Sequence, residues 1–219
     1  MYTETFDFYD RTSLKTYNLN ESMRYQLSRL DSLDPFTLKH CENVAAITCR
    51  LCKLLHCDQS FTEYCTICAY LHDIGKALIP SHVLQKPDKL SDEEFEIMKK
   101  HTTLGHKMCM EDLKLRPYAA GTLYHHENLD GSGYPNGLTK KQIPYEAQII
   151  SVADEFDSIV SKRQYKSHIN ISDTLKILIE NAHAGKINPL IVRKLFKVVI
   201  EDIEYEIFLV RRLHRRLKR

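Results

Sequence analysis

Residues His125 to Pro135 read HHENLDGSGYP, and this stretch joins two features with different uses. Two adjacent imidazoles followed by an acid are residue types that bind metal ions. The second half contains two glycines, a tyrosine and a proline, and glycine lets a backbone approach a ligand closely. A simple turn has no need of the histidines, and a metal site alone has no need of Gly-Tyr-Pro. The stretch therefore predicts a metal site beside a ligand-binding loop.

Further ligand-type residues occur in four other segments of the chain. They are His40, His72 with Asp73, His101, and Asp154. Because tens of residues separate them, the site must be assembled between helices of a bundle, where metal sites commonly lie. The mixture of imidazole and carboxylate suits iron, manganese or zinc better than an all-oxygen magnesium site.

The adjacent pair His72-Asp73 limits the geometry of that site. Neighbouring residues on a helix diverge by about 100°, so the two side chains cannot share one direction. They can face one ion across a cluster, or Asp73 can bridge two metals with one oxygen each. Lys76 follows three residues after Asp73, on the same side of a turn. A cation there is suited to holding a phosphate oxygen during phosphoryl chemistry.

The sequence around these residues resembles the HD superfamily of metal-dependent phosphohydrolases. His72-Asp73-Ile-Gly-Lys76 is similar to the HD motif, and HHENLDGSGYP at 125–135 looks like the signature of the HD-GYP branch. The resemblance covers about residues 34–180. It implies an all-helical domain that hydrolyses cyclic di-GMP to pGpG and in some cases to GMP.

The resemblance also implies roles for individual residues. One metal would be held by His40, His72, Asp73 and Asp154, and the other by Asp73, His101, His125 and His126. Lys76 would contact the scissile phosphate, and Asp73 and Lys76 would be the catalytic residues. The residues expected to hold the nucleotide are Lys76, Asp130, Gly131, Gly133, Tyr134, Pro135 and Arg163.

We expect two divalent ions, iron or manganese, with zinc, nickel or magnesium as alternatives. Some relatives carry a glutamate four residues before the first histidine and bind a third metal, but this chain has Phe36 there. Two metals can share a hydroxide that attacks phosphorus at neutral pH, while Lys76 takes up charge on the phosphoryl oxygens. Glu127 is interpreted either as a residue that orients a histidine ring or as a surface acid.

Three functions remain open from the sequence. The first is an active cyclic di-GMP phosphodiesterase, and the second is a phosphodiesterase for another cyclic dinucleotide such as 3',3'-cGAMP. The third is a non-hydrolysing module that senses the nucleotide or binds a partner. The expected partners are the nucleotide and, as a further possibility, a protein or a second copy of the chain, but not nucleic acid.

The bulk composition agrees with an ordinary globular protein. The chain has 219 residues, of which 43% are hydrophobic and 27% charged, with a net charge of +2. This length suffices for one large or two small domains. No apolar run approaches the roughly 18 residues of a membrane helix, and the N-terminus lacks the features of a signal peptide. These features predict a cytoplasmic protein without a membrane span.

Helical signals run from Glu21 onward, and no segment alternates convincingly as a strand does, so we predict an all-α bundle. We divide the chain into an N-terminal arm and helix (1–32), the phosphohydrolase domain (33–185) and a C-terminal helical extension with a basic tail (186–219). The predicted helices are 21–32, one from Asp34-Pro35, Ser60 to about Gly75, Ser91 to about Met110, 116–126, Pro144 to Ser161, Ser172 to Ala184, and a last, broken stretch from Asn188-Pro189.

Two further patterns have alternative interpretations. Cys49-Arg-Leu-Cys52 and Cys65-Thr-Ile-Cys68 have the outline of a zinc site, but both pairs lie in segments of helical periodicity, where we expect small core residues. The seven cysteines are expected to be reduced thiols. The tail over 211–219 has six basic residues and no acid. We expect a solvated amphipathic helix there, with an anionic partner or membrane surface as the alternative.

Overall fold

The computed structural model describes residues 33–161 and 171–217. The predicted arm and helix over 1–32 and the predicted nucleotide contact Arg163 lie outside these residues. Within the described ranges the α-helices are α1 (Pro35–Leu54), α2 (Gln59–Leu71), α3 (Ser81–Leu84), α4 (Asp92–Lys99), α5 (His101–Glu111), α6 (Ala119–Tyr124), α7 (Tyr145–Ser161), α8 (Ile171–His183) and α9 (Pro189–Leu217). Two 3₁₀ helices span Ile74–Leu78 and Arg116–Tyr118.

Two predicted helix starts are confirmed by their capping geometry. The Asp34 carboxylate accepts hydrogen bonds from the Phe36 and Thr37 amides, both at 3.1 Å, and proline occupies the first turn of α1. Ser91 forms a complete capping box with Glu94 at the start of α4. Each cap satisfies backbone donors that the first helical turn leaves unpaired.

The predicted start and end of α2 are wrong by a few residues. Asp58 is the N-cap instead of Ser60, because its carboxylate accepts from the Phe61 amide at 2.8 Å. The helix ends at Leu71 instead of near Gly75, and the chain passes through His72 and Asp73 into a 3₁₀ helix. The HD motif is therefore a turn between two helices, and this turn directs both side chains inward.

Gly75 lets the chain that follows this turn approach α5 closely. A Cβ atom at this position would lie 2.0 Å from the His101 carbonyl oxygen and 2.5 Å from the Gly105 amide nitrogen. No side chain fits such a contact, so glycine lets the 3₁₀ helix pack directly on the backbone of α5. This contact holds the HD turn against the helix that begins with His101.

Three other predicted helices differ in detail. The segment from Ser91 is split at Lys100 into α4 and α5, and the helix predicted over 116–126 is a 3₁₀ turn followed by α6. The last stretch is one continuous helix, where the Asn188 side chain accepts from the Leu190 amide at 3.1 Å. Two predicted helices, Pro144 to Ser161 and Ser172 to Ala184, are confirmed within one residue at each end as α7 and α8.

The helices pack around one hydrophobic core, which confirms the all-α prediction. Helix α1 packs along α2 and α7, and the first half of α9 closes the bundle against α1, α7 and α8. The largest fully buried apolar side chains are Ile47, Leu51, Leu71, Ile74, Ile149, Ile150, Leu178, Ile191 and Leu195. Since the last two follow residue 185, the core includes part of the predicted extension, and the domain boundary stays a prediction.

Strand structure is minimal in the part of the chain that the structure describes. One isolated bridge pairs Asp130 with Thr139 across the loop after α6. None of the described helices is both long enough and apolar enough to cross a membrane.

Candidate metal centre

The structure brings together all seven residues that were expected to bind metal. His40 comes from α1, His72 and Asp73 from the turn after α2, and His101 is the first residue of α5. The other three residues come from the end of α6 and from α7, namely His125, His126 and Asp154. Groups of three of these side chains present ligand atoms within 4.8 Å of one another.

Asp73 lies in the middle of this cluster, with its two oxygens facing different histidines. Its Oδ2 atom is 3.3 Å from His72 Nε2 and 3.6 Å from His40 Nε2. Its Oδ1 atom is 3.3 Å from His101 Nε2 and 4.0 Å from His125 Nε2. The fully buried carboxylate thus separates two sets of nitrogen atoms, an arrangement in which each oxygen can serve a different ion.

Asp154 connects the two sets from the opposite side. Its Oδ1 atom is 2.9 Å from His40 Nε2, and its Oδ2 atom is 3.8 Å from His126 Nδ1. The expected ligand sets put Asp154 with His40 and put His126 with His101 and His125. The structure places His126 near both groups. It faces Asp154, and its ring centroid is 5.1 Å from that of His101 and 4.1 Å from that of His125.

Four histidine rings are oriented by a partner on Nδ1. This atom lies 2.6 Å from the Ala69 carbonyl oxygen in His72, 2.7 Å from that of Met98 in His101, and 3.0 Å from that of Gly121 in His125. A carbonyl oxygen can only accept, so Nδ1 must carry the proton. Each neutral ring therefore presents the Nε2 lone pair to the cluster, as a metal ligand does.

The ring of His40 is held by a carboxylate that sequence reasoning missed. Its Nδ1 atom lies 2.6 Å from Asp157 Oδ2, and Asn43 donates to the other oxygen of Asp157 at 3.0 Å. Asp157 lies on α7, three residues after Asp154. This spacing puts both acids on one helix face, which is the signal that could have identified it.

The cluster fits a divalent metal site because its buried lone pairs lack partners. In the described part of the chain, His72 Nε2 and Asp73 Oδ1 are buried without a hydrogen-bond partner. His101 Nε2 and His125 Nε2 lie 3.2 Å apart, although both rings carry their proton on Nδ1. Two facing lone pairs repel, and unpaired buried polar atoms cost free energy. A cation among these atoms would relieve both.

The protonation states of His125, His126, Asp73 and Asp154 agree with ligand roles. Burial lowers the pKa of His125 well below its ordinary value and lowers that of His126 to about 3, so both rings are neutral. Burial opposes ionisation of Asp73 and Asp154, but neighbouring cations hold the pKa of both carboxyls well below the usual range. Although burial also disfavours charge on His40, its hydrogen bonds to Asp154 and Asp157 raise its pKa to about 10. The ring is therefore protonated at neutral pH, and a bound metal would have to displace its Nε2 proton.

Lys76 lies at the edge of the cluster. Its Nζ atom donates to Asp73 Oδ2 at 2.6 Å from the 3₁₀ helix that follows the HD turn. Burial disfavours the charged amine, but the Asp73 carboxylate raises the pKa of Lys76 overall, so it stays cationic. The side chain is thus a fixed positive charge beside the carboxylate at the centre of the site.

The loop after α6 is folded around Glu127, which neither sequence interpretation described. The side chain is buried, and its two oxygens accept from the amides of Asn136 at 2.7 Å and Leu138 at 2.8 Å. Glu127 therefore neither orients a histidine ring nor lies on the surface. Gly133 packs against the backbone at the start of this loop, where a Cβ atom would lie 2.2 Å from the Asn128 amide nitrogen. These contacts hold the Gly-Tyr-Pro segment close to the histidines.

Tyr134 packs directly on the cluster. Its ring centroid is 4.8 Å from that of His126, and its amide donates to the His126 carbonyl oxygen at 3.1 Å. Pro135 follows through a cis peptide bond. Asp130 is exposed and accepts from the Ser132 amide and hydroxyl, while Gly131 has a φ of 85°. Asp130 and Gly131 shape the outer part of the loop.

Two residues beside Tyr134 were not predicted from the sequence to belong to the site. Phe95 on α4 meets the Tyr134 ring edge-to-face at a centroid distance of 6.4 Å. The Lys99 ammonium lies 5.0 Å from the Phe95 ring and 5.6 Å from the Tyr134 ring. No ligand motif includes these residues, so only the packing of α4 against the loop identifies them. Together they form an aromatic wall with a cation beside the histidines.

The cysteines do not form a second cluster. All seven lie within the described residues and are free thiols, as expected. Cys52 and Cys65 are hydrogen-bonded to each other, whereas Cys68 packs against Gly121. Burial raises the pKa of the Cys68 thiol. No metal-ligand group found among the described residues includes a cysteine, so the zinc alternative is unsupported.

Comparison with known proteins agrees with this geometry. A model of the HD domain matches residues 24–191. The chain belongs to the HD domain family. This result confirms the family predicted from the two motifs, and an HD domain implies divalent metal binding, which the histidine and aspartate cluster fits.

Proteins similar to this chain include two that match it in sequence and one that matches it in structure. A cyclic di-GMP phosphodiesterase of Thermotoga maritima is 38% identical over 167 residues, covering 75% of this chain and 45% of the relative. The 3'3'-cGAMP-specific phosphodiesterase 3 of Vibrio cholerae is 32% identical over 156 residues, covering 71% and 34%. A solved structure of a HDG"Y"P protein from Bdellovibrio bacteriovorus has a TM-score of 0.62 at 25% identity and covers 74% of this chain and 52% of that chain.

This chain spans less than half the length of the curated relatives it matches. The shared part is the HD domain with the metal-type cluster, so the comparison concerns that domain.

Proposed function

We propose that this chain is a metal-dependent phosphodiesterase that hydrolyses cyclic di-GMP to pGpG. The observation that carries the proposal is Asp73, whose two carboxylate oxygens face separate sets of histidine nitrogens. A phosphate ester needs charge neutralisation on both the attacked and the leaving side, which two neighbouring ions supply. A module that only binds nucleotide has no need of such a ligand set.

We assign the ligands to two divalent ions. His40, His72 and Asp154 would hold one, His101, His125 and His126 the other, and Asp73 would bridge them. When bound, such ions supply a nucleophile at neutral pH and Lewis-acid stabilisation of the phosphoryl oxygens. Iron or manganese suits the mixture of imidazole and carboxylate. Phe36 offers no ligand atom on α1, so we propose two ions and not three.

Lys76 would hold the scissile phosphate. It is already a fixed cation 2.6 Å from the central carboxylate, so it can contact an anionic oxygen with little reorganisation. Its charge would favour the phosphoryl oxygens in the transition state, where negative charge increases. The positioning residues Asp157 and Asn43 would act through His40 and not on the substrate.

The Gly-Tyr-Pro loop and α4 would form the wall for a guanine base. The Tyr134 ring centroid lies 4.8 Å from that of His126, and Phe95 and Lys99 flank Tyr134 with a second aromatic face and a cation. Stacking of a base on an aromatic side chain contributes about 1–3 kcal/mol. With His126 against one face of Tyr134, the exposed side of Phe95 is the better platform for the base. Arg163, Asp130, Gly131, Gly133 and Pro135 remain candidate nucleotide contacts.

Two other functions are specific enough to test. The likeness to a cGAMP-specific relative supports a related cyclic dinucleotide as the alternative substrate. A nucleotide sensor without hydrolysis is the alternative from another class. The cytoplasmic location expected from the sequence stays a proposal.

The test is a substrate panel with protein purified and metal-loaded without oxygen. Cyclic di-GMP, 3',3'-cGAMP and linear pGpG are incubated separately, and products are separated by chromatography. We expect cyclic di-GMP to be converted to pGpG fastest. Faster turnover of 3',3'-cGAMP would support the alternative substrate, and tight binding of cyclic di-GMP without product would support the sensor.

The matched control is the double variant His72→Ala/Asp73→Ala. Removing both side chains deletes ligands on each side of the cluster, so metal and hydrolysis should be lost together. The packing around Ile74 and Gly75 is retained, so circular dichroism should show nearly unchanged helix content. Retained turnover in this variant would contradict the metal mechanism.

A further inference from the structure

We propose that the outer half of α9 pairs with the same segment of a second copy of this chain, in antiparallel orientation. The proposal is independent of the phosphodiesterase activity. It rests on an exposed apolar stripe, on the strict spacing of its residues and on the separation of acidic and basic residues along the helix.

The bundle holds α9 only as far as Asp202. Val198 and Val199 are buried, and Arg50 on α1 donates to both oxygens of Asp202 at 2.7 Å. Beyond this ion pair no apolar side chain described on α9 is buried, although the helix continues to Leu217. The outer half, defined as residues 200–217, is about 26 Å long at 1.5 Å per residue.

Four β-branched residues form a stripe along this outer half. Their exposed fractions are 51% for Ile200, 43% for Ile203, 46% for Ile207 and 63% for Val210. Such a contiguous row is unlike the singly scattered apolar residues of an ordinary surface and marks an interaction site. We call these four residues the α9 stripe.

The spacing of the α9 stripe is that of a coiled-coil seam. The intervals are three, four and three residues, and the same alternation extends backward to Phe196 and forward through residue 214 to Leu217. A repeat of 3.5 residues keeps one seam facing a partner helix along the whole length. A helix that only lay on its own bundle would not need this spacing beyond the point where the bundle ends.

Charge indicates which partner and which direction. Residues 201–206 contain four acids and no base, whereas residues 211–219 contain six bases and no acid. Two parallel copies would place acid beside acid and base beside base. Two antiparallel copies place the acidic part of each helix against the basic part of the other, which is attractive. This self-complementary arrangement is a two-fold symmetric interface.

The spacing also fixes the register of the antiparallel pair. With Ile207 opposite Val210 of the second copy, symmetry repeats the same contact on the other side of the two-fold axis. With Ile207 at position a and Val210 at position d of the heptad, Glu204 and Arg211 both occupy position e. In an antiparallel pair, e positions face each other, so Glu204 flanks Arg211 of the second copy. In a parallel pair, Glu206 would flank Arg211 instead. The two orientations therefore use different acidic partners for the same arginine.

Sedimentation velocity of the full chain tests the pairing. We expect a concentration-dependent dimer that Ile207→Glu weakens at least tenfold. The matched control is Phe208→Glu, which introduces the same charge at a neighbour that is 55% exposed and lies about 100° around the helix, and it should leave the dimer unchanged. A monomeric wild-type chain would overturn the proposal, including the case in which residues 1–32 cover the stripe. A dimer that Ile207→Glu does not weaken would also overturn it.

Charge reversal tests the orientation. Arg211→Glu should weaken the dimer several-fold, and Glu204→Arg combined with Arg211→Glu should restore it. Glu206→Arg combined with Arg211→Glu should not restore it. The opposite result for the two double variants would mean a parallel pair and would overturn the antiparallel proposal.

Discussion

Two regions of this protein carry ligand-type residues in suggestive patterns, and only one is arranged as a metal site. The cysteines of α1 and α2 have the CxxC spacing of zinc proteins, yet they lie within helices and are buried as small core side chains. The histidines and aspartates come from five segments separated by tens of residues and have no such spacing. They nevertheless meet around Asp73 with their nitrogen atoms directed at one another.

The difference lies in what holds each ligand atom. Around Asp73 the rings are fixed by acceptors on Nδ1, so their lone pairs point to a common centre. In the cysteine region the four thiols do not converge on one centre, since Cys52 is hydrogen-bonded to Cys65 whereas Cys68 packs against Gly121. Orientation of the ligand atom, not spacing along the chain, therefore distinguishes a candidate site from core packing.

The largest effect is expected from Asp73→Ala. Removing the carboxylate that faces both sets of histidines should lower kcat/KM for cyclic di-GMP by about 10³-fold or more, because the stabilisation lost is several kcal/mol. Steady-state kinetics with metal-loaded protein measures this change. An activity within tenfold of wild type would show that Asp73 does not connect the two sets of histidine ligands.

A smaller effect is expected from Asp157→Ala, which removes the acceptor on His40 Nδ1. Loss of a partner that orients a ligand typically costs about 10–100-fold in metal affinity or activity. Metal titration at fixed pH measures the affinity, and Asp157→Asn is the control because its amide oxygen can still accept. Equal loss in the two variants would mean that Asp157 acts through its charge and not through orientation.

Glu127→Gln is expected to affect substrate binding more than chemistry. The change weakens two charge-assisted hydrogen bonds that fold the loop, each contributing about 1.5–3 kcal/mol. The Michaelis constant should rise about tenfold while kcat changes little, because Glu127 contacts loop amides and not a histidine ring. A fall in kcat at unchanged Michaelis constant would place Glu127 in the metal site after all.

The smallest effect on activity is expected from Cys52→Ala/Cys65→Ala. These thiols contribute packing and a few weak hydrogen bonds, so the free energy of unfolding should fall by about 1–2 kcal/mol. Metal content and kcat should stay at wild-type values. Denaturant unfolding together with elemental analysis separates the two effects, and a loss of metal would revive the zinc alternative.

The sequence predicted most of what local chemistry determines. The caps at Asp34 and Ser91 are confirmed because a side chain and its target amide lie within one turn, which sequence alone can recognise. The seven ligand-type residues could be grouped because four of them lie in two specific motifs, at 72–76 and 125–135.

The remaining features depend on contacts between distant segments. After α2 ends at Leu71, the 3₁₀ helix packs through Gly75 on the backbone of α5, a contact that no local pattern reveals. The partner of His40 lies more than one hundred residues away on α7, and Phe95 meets Tyr134 only because α4 packs against the loop. Glu127 was misjudged because the amides that it binds lie within a loop whose fold could not be foreseen.

The most direct test of the central claim is the number of metal ions per chain, measured by elemental analysis of protein purified without oxygen. The account predicts two ions in the wild-type chain, two in Cys52→Ala/Cys65→Ala, and loss of both in Asp73→Ala, because that carboxylate serves both sets of histidines. One ion per wild-type chain, or two ions retained in Asp73→Ala, would contradict the claim that Asp73 lies between two metals.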